Sequence, residues 1–580
     1  MFRLRRFLKD YKLQLIIGPI CKLIEAVFEL FIPVITADII DNGVRNNDVG
    51  YVIQKGGLMV LLGALGLGFA LVCQKSASVA SQGFGTKVRS AMFRHINTLS
   101  HNELDKLGTP SLITRLTNDV NRLQLAVAML IRLVIRAPFL VIGALIMAMT
   151  IDMKLSLIFF GAALLIGLVL FIVMTRSVPF YKKIQKKLDT VSLISRENLS
   201  GNRVIRAFSR QEDDQQRFDE CNDELAKTAV TAGRLSALLN PLTYVIAQAA
   251  IIAIVWFGAG FVFTGELKTG EIIALVNYMT QILLAMIVVS NLVVIFTNAS
   301  ASAARVNEVF DTKPSVVEKE NAGAEEVSDA PCVEFRDVSF GYSGSGYALR
   351  NISFKLKKGS TIGIIGGTGA GKSTLVNLIP RFYDASEGMI LVDGVDVRDY
   401  TFTQLRSKIG IVPQKAELFS GTIKDNLRFG KRDAADSDIE RALKISQSYE
   451  FVSKMPEKTN KQITAGGKNL SGGQRQRLTI ARALVGRPEI LILDDSSSAL
   501  DYMTDRMLRQ NIASLPYHPT VIIIAQRTNS VSACDNILVL DDGEQVGLGT
   551  HSELLKSCDI YKEIYDSQYG GDTVSGEVAV

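Results

Sequence analysis

Apolar positions are distributed unevenly along the chain. Long uncharged runs fill the first 300 residues, whereas short apolar stretches alternating with polar helical segments follow residue 330. Four of the early runs are cleanly bounded by charge: Gly56–Gln74, Leu155–Thr175, Leu235–Gly265 and Ile272–Ala304. Each meets or approaches the ~20 apolar residues that carry a helix across a bilayer core. Two further stretches contain charges, about Leu13–Ala37 with Lys22, Glu25 and Glu29, and about Leu125–Thr150 with Arg132 and Arg136. The pattern predicts six membrane-spanning helices, with a very apolar soluble helical domain as the alternative.

Charge then orients the spans. The segment between the second and third carries Lys75, Lys87, Arg89, Arg94, Lys106, Arg115 and Arg122, and Arg176–Arg234 is also rich in Lys and Arg. The opposite connections, Asp41–Asp48, Ile151–Lys154 and Gly265–Gly270, are short and poor in positive charge. By the positive-inside rule the N-terminus, both long loops and everything after the sixth span are cytoplasmic. The loops are too long for simple connectors, so spans two to five are expected to continue as helices beyond the bilayer. Turn-like tips are expected near Leu107–Pro110 and Ser200–Asn202. Arg3, Arg5, Arg6, Lys9 and Lys12 read as a basic amphipathic elbow on the membrane surface, not a cleaved signal.

The intramembrane charges have a spacing. Lys22, Glu25 and Glu29 share one helical face, as do Arg132 and Arg136 at i, i+4. At about 1.5 Å rise per residue, Glu29 lies roughly 18 Å below Asp41 and Arg136 roughly 21 Å below Thr150. Glu25 and Arg132 match similarly, at roughly 24 and 27 Å. Glu29 with Arg136 and Glu25 with Arg132 are therefore expected to pair inside the bundle. They line a substrate cavity or serve as static ion pairs.

Composition narrows the class. The 580 residues have a net charge of +6, 48% hydrophobic and 21% charged residues, which excludes a disordered chain. A positive mean hydropathy, +0.22, fits a membrane protein. The six cysteines form no C-x-x-C pair and there are four histidines, which argues against a disulfide framework or zinc site. The modest positive charge fits membrane-facing loops and no nucleic-acid partner.

After the polar, acidic linker, the strand Ser360–Ile365 leads into Gly366-Gly367-Thr368-Gly369-Ala370-Gly371-Lys372-Ser373, followed by Thr374. This is a phosphate-cradling loop. Its glycines let backbone N–H groups wrap a phosphate chain, Lys372 supplies charge to the β- and γ-phosphates, and Ser373 can ligate Mg²⁺. Ile490–Leu493 followed by Asp494 reads as a buried strand ending in a carboxylate that reaches Mg²⁺ through water. Between them stands Leu470-Ser471-Gly472-Gly473-Gln474, and Ser498–Asp501 (SALD) follows.

The order of phosphate loop, Gln414, LSGGQ, ILILD and SALD resembles the nucleotide-binding domain of ABC transporters. With six spans ahead of it, the chain resembles an ABC exporter half-transporter, and more narrowly the degenerate-site subunit of heterodimeric bacterial multidrug exporters. The implied fold is an α-helical membrane domain of six long helices, then an α/β P-loop NTPase domain with a helical subdomain. The expected divisions are 1–310, a linker 311–332, the nucleotide domain 333–568 and a disordered tail 569–580. The resemblance implies ATP and Mg²⁺ as ligands. Tyr342 would stack on adenine, Gln414 would sense Mg²⁺ and the attacking water, and Asp501 would communicate across a dimer. LSGGQ would bind the γ-phosphate held by the partner chain.

Three positions depart from the family pattern. Asp495 stands where the family has a catalytic glutamate, which draws the carboxylate back by about 1.5 Å. Gln526 stands for the switch histidine and cannot carry its charge or shuttle a proton. Ala465 replaces a glutamate frequent in exporters. The expectation is one subunit of a heterodimeric plasma-membrane exporter of amphipathic or hydrophobic compounds, whose partner carries the missing Glu and His. A slow homodimeric exporter, an importer and an ATP-gated channel or regulator on the same scaffold are the alternatives.

Overall fold

The computed structural model describes residues 2–319, 323, 327, 329–342, 346–496 and 498–569. It forms two compact units, Met1–Asn97 with Pro110–Asp311, and Thr98–Thr109 with Thr312–Val580. The expected disordered tail from 570 onward, and much of the acidic linker, lie outside the described residues.

The first unit is helical. Aspartates set the starts of its two longest helices: Asp48 accepts from Tyr51 N at 3.0 Å and Asp152 from Leu155 N at 2.7 Å. Val49–Ile96 and Met153–Ala207 run for 48 and 55 residues. At the rise of an α-helix these are about 70 and 80 Å long, more than twice a bilayer core of ~30 Å. Alanines 26, 37, 144, 148, 162, 247, 250 and 274 are buried where helices meet, and their small size lets backbones approach closely. Large apolar side chains such as Trp256 and Phe263 face outward.

Five helical runs are long and apolar enough to cross a membrane: Val49–Ile96, Thr109–Ile151, Met153–Ala207, Gln211–Phe263 and Thr269–Asp311. The pattern of the sequence predicts six. Lys12–Asp38 is a continuous 27-residue helix, but Lys22, Glu25 and Glu29 interrupt its apolar length.

Three local expectations are corrected. The expected span Leu125–Thr150 lies within the run Thr109–Ile151, but it is interrupted at Leu133–Ile135, between Val120–Arg132 and Arg136–Ile151. Pro138 has no N–H for the carbonyl of Val134, and its ring crowds that carbonyl. Arg132 and Arg136 therefore do not share one continuous helical face. Ser200–Asn202 is no tip, because the helix continues to Ala207 and turns at Ser209, where φ is 53°. Small polar residues did not break it: Ser200 Oγ simply donates back to the carbonyl of Arg196 at 2.7 Å. Glu25 does not pair with Arg132. Lys22 Nζ, one turn away on the same helix, holds both its oxygens at 2.7 and 2.6 Å.

Arg136 Nη2 donates to Glu29 Oε2 at 2.6 Å. Both side chains are half-buried, so removing one partner leaves a poorly hydrated charge. Glu29→Ala is expected to destabilise the first unit by about 1–3 kcal/mol, discounted for partial exposure. A lowered unfolding temperature in detergent, spared by Glu29→Asp, checks this.

The second unit is built on strands β1 Val333–Gly341, β2 Tyr347–Leu356, β3 Thr361–Gly366, β4 Glu387–Val392, β5 Val395–Asp396, β6 Ile409–Val412, β7 Gly421–Thr422, β8 Gln462–Ile463, β9 Ile490–Asp494, β10 Thr520–Ile524, β11 Asn536–Asp541 and β12 Glu544–Gly549. Ten form one sheet in the order β5-β4-β1-β2-β12-β11-β3-β10-β9-β6, and β7 pairs with β8. The run β11-β3-β10-β9-β6 is parallel throughout. Strands β9 and β10 are buried along their whole length, which is why they read as unbroken apolar runs. A helical subdomain including Asp436–Ile445 and Gly472–Val485 packs its apolar residues into the same core as β9.

Thr98–Thr109 belongs to this second unit although it interrupts the first. Its helix His101–Leu107 starts in a capping box of Ser100 and Glu103. His101 stands 4.6 Å from the ring of Phe382, and Tyr383 Oη donates to Asp105 at 3.0 Å. Burial holds the His101 imidazole below its ordinary pKa.

Candidate functional site

Sheet order gathers the site. Because β3, β10, β9 and β6 lie side by side and parallel, the residues that follow them emerge at one edge. That edge receives the phosphate loop after β3, Gln526 after β10, Asp494 and Asp495 at the end of β9, and Gln414 after β6.

The loop itself needs its glycines at two points. At Gly366, with φ 159°, a Cβ would stand 2.1 Å from the carbonyl oxygen of Leu540. At Gly371, with φ 88°, it would stand 2.8 Å from the carbonyl oxygen of Ala348. Gly367, Thr368 and Gly369 form the exposed crown, and Ala370 is buried beneath them. Lys372 Nζ donates to the carbonyls of Gly366 and Gly367 at 2.8 and 2.6 Å. Its burial lowers its pKa, an effect partly offset by Asp495 and Asp494.

Ser373 Oγ donates to Asp494 Oδ1 at 3.0 Å. Burial raises the Asp494 pKa, and the Ser373 bond and Lys372 pull it back only in part. A hydroxyl beside a buried carboxylate is a hard oxygen pair of the kind Mg²⁺ takes. No cluster of three or more His, Cys, Asp or Glu suited to a metal occurs among the described residues, so remaining ligands would come from Gln414, phosphate oxygens and water.

Asp495 adopts φ 45°, and its amide donates to the carbonyl of Ile524 at 3.0 Å. Its Oδ2 accepts from Gln526 Nε2 at 3.2 Å and from Gln414 Nε2 at 3.4 Å. One carboxylate oxygen thus collects two amide donors from the strands on either side. Gln526 and Asp495 also line a groove of about 590 Å³ that includes Gln568.

Gln568, near the C-terminus, escaped the sequence reading. Its Nε2 donates to the carbonyl of Gln526 at 2.9 Å, and its Oε1 accepts from Thr528 N and Oγ1, both at 2.9 Å. Nothing in the local sequence signals a bridge over 40 residues. Gln568→Ala is expected to cost about 1–2 kcal/mol and to speed amide exchange at Thr528, as read by hydrogen exchange of the native protein.

Tyr342 lies beside the loop. Its hydroxyl is 3.1 Å from Thr374 Oγ1, and its ring makes edge contacts with Phe340 and Tyr383 at 5.0 and 5.4 Å. Leu470 is buried and anchors the signature, while Ser471 and Gly472 are exposed. Ser471 caps the helix Gly472–Val485: its Oγ accepts from Gln474 N at 3.2 Å, and Gln474 Oε1 accepts from Ser471 N at 3.0 Å. Gly473 stands where a Cβ would meet the carbonyl oxygen of Ala499 at 3.2 Å, so the signature abuts the SALD turn. Asp501 caps the next helix, accepting from Thr504 N and Oγ1 at 2.9 and 2.7 Å, and these bonds lower its pKa.

A strand-borne phosphate loop, a strand-ending aspartate and a signature-capped helix, on the same chain as a helical membrane unit, define an ATPase-coupled membrane transporter. The chain belongs to the ABC transporter family: residues 15–286 match the ABC transporter transmembrane region and 349–498 the ABC transporter family proper. It is 38% identical over 565 residues to the ABC transporter ATP-binding protein YfiB of Bacillus subtilis, covering 97% of this chain and 98% of that one. It is 34% identical over 577 residues to Rv1273c of Mycobacterium tuberculosis, covering 99% of each. An ATP-dependent lipid A-core flippase of Vibrio parahaemolyticus is 29% identical, covering 98% of this chain and 97% of that one. In fold the chain is similar to a bacterial Atm1-family ABC exporter with ATP bound, with a TM-score of 0.77, 24% identity and coverage of 100% and 99%. It is thus built as a half-transporter, one membrane unit fused to one ATPase unit.

Proposed function

We propose that this chain is one subunit of a heterodimeric ATP-driven exporter, and that its own nucleotide site holds ATP but cleaves it slowly. The observation that carries this reading is the carboxylate of Asp495, short by one methylene and bonded by Gln526 and Gln414 at one oxygen. An aspartate held this way is drawn back from an attacking water, and a glutamine at 526 cannot act as a charged or proton-shuttling partner. Binding functions are complete: Tyr342 for the base, 366–374 for the phosphates, Ser373 with Gln414 and Asp494 for Mg²⁺.

The signature 470–474 would complete the site of a partner half-transporter that carries the Glu and His absent here, and Asp501 would link the two sites. Lys12–Asp38 would serve as the first span and complete a set of six, with the N-terminus and the ATPase unit on the cytoplasmic side of the plasma membrane. The cargo would be amphipathic or hydrophobic, a reading supported by the flippase relatives, with Glu25, Glu29, Arg132 and Arg136 lining its path. Bacillus subtilis holds two such relatives, YfiB and YfiC, 38% and 30% identical to this chain, which supports paired half-transporters in one cell. Residues 98–109 belong to the ATPase unit yet continue directly into the helix Val49–Ile96, so closure of that unit would pull on the span.

The test is nucleotide retention. The purified complex, given ATP and then rapidly filtered, should keep uncleaved ATP crosslinkable to this chain. Recovery of only ADP there would contradict the reading. Magnesium binding carries a pH signature, since it needs the Asp494 carboxylate charged. The raised Asp494 pKa means that Mg²⁺-nucleotide affinity should fall on acidification at a higher pH than an ordinary carboxylate would impose, with Asp494→Asn removing that dependence.

A further inference from the structure

The charges inside the membrane unit do not balance. The first and third spans contribute the cations Lys22, Arg132 and Arg136 but only the carboxylates Glu25 and Glu29. Both carboxylates are taken. Lys22 occupies both oxygens of Glu25, and Arg136 holds Glu29. Among the described residues, Arg132 has neither a hydrogen bond nor an ion pair.

Its position is shared with other polar groups. Arg132 ends the helix Val120–Arg132, whose preceding residue Ile131 packs tightly on Lys12–Asp38 at Gly18. The helix Val120–Arg132 packs against both Lys12–Asp38 and Val49–Ile96. The unpaired guanidinium therefore ends a helix packed against two others, one of which carries the already neutral Lys22–Glu25 pair. A lone cation at membrane depth costs several kcal/mol unless something neutralises it. A guanidinium is built to receive a planar or tetrahedral oxyanion through two parallel N–H donors.

We propose that Arg132 binds the anionic headgroup of the transported compound, and that the cargo is an anionic amphiphile bearing a phosphate, sulfate or carboxylate. This rests on the export reading above and narrows its substrate class.

The test uses the nucleotide-free transporter containing this chain in phosphatidylcholine nanodiscs. The probes are three amphiphiles of equal chain length: dodecyl phosphate, dodecyl maltoside and dodecyltrimethylammonium. Dodecyl phosphate should bind about tenfold more tightly than the ammonium probe. Arg132→Gln should erase that preference without lowering the unfolding temperature, and Arg132→Lys should keep most of it. An unchanged phosphate preference in Arg132→Gln, or a preference for the ammonium probe, would overturn the proposal. Adding phosphatidylglycerol to the discs separates the sources. Competition against dodecyl phosphate in the native protein assigns the headgroup to a bilayer lipid, and its absence assigns it to a non-lipid amphiphile. Because binding is read without ATP, it stands apart from export, which is read as ATP-dependent uptake into inside-out vesicles.

Discussion

Gly472→Asp is expected to cut ATP turnover of the assembled transporter by about 10²-fold or more while leaving the chain folded. The effect should be sterically clean. Nothing lies within 4 Å of a Cβ built at Gly472, so a side chain enters open space and moves no neighbour. The size of the effect should come from electrostatics. Gly472 is the first residue of a 14-residue helix capped by Ser471, where unpaired amides favour an anion. A carboxylate placed there would repel the γ-phosphate that the partner presents. ATPase activity of the complex, with its unfolding temperature as control, checks both halves of the claim. Gly473 is a poorer choice, because a Cβ there already meets the carbonyl oxygen of Ala499 at 3.2 Å and would confound fold with function.

Asp495→Glu combined with Gln526→His is expected to switch on hydrolysis at this chain's own site. The longer carboxylate recovers about 1.5 Å of reach, and the imidazole restores a titratable partner. Misplacement on that scale costs about 10²-fold, so single-turnover cleavage of ATP bound to this chain should rise by one to two orders of magnitude, roughly 1.4–2.7 kcal/mol of barrier. Neither change alone should suffice. With Asp495→Glu alone, the longer carboxylate still meets the Gln526 amide. With Gln526→His alone, the imidazole still faces the carboxylate of Asp495, which is too short. Single-turnover assays on the double variant and both single variants separate these contributions.

Much of this is legible in the sequence. The phosphate loop announces itself through glycines that only a tight turn needs, and β9 and β10 through apolar runs that only a doubly covered parallel strand sustains. Sheet order then converts distant sequence landmarks into neighbours, which no local pattern reveals. The two amide hydrogen bonds accepted by Asp495 Oδ2 and the Gln568 bridge are of that kind. In the membrane unit, hydropathy located the helices but not their breaks. Pro138 divides the third stretch, yet its effect depends on how neighbouring helices accommodate the freed carbonyl. Equal depth predicted a partner for Glu25 in Arg132, whereas Lys22 lies three residues away on the same helix and reaches it first. The i, i+3 spacing was the available signal. The tip beyond Ala207 was hidden because Ser, Gly and Asn tolerate a helix held by its surroundings.

The asymmetry of the two nucleotide sites is the central claim, and steady-state ATPase activity of the purified complex tests it most directly. Asp495→Asn in this chain should leave most of the turnover intact, whereas converting the partner's catalytic glutamate to glutamine should nearly abolish it. Robust hydrolysis by this chain alone as a homodimer, abolished by Asp495→Asn, would contradict the account.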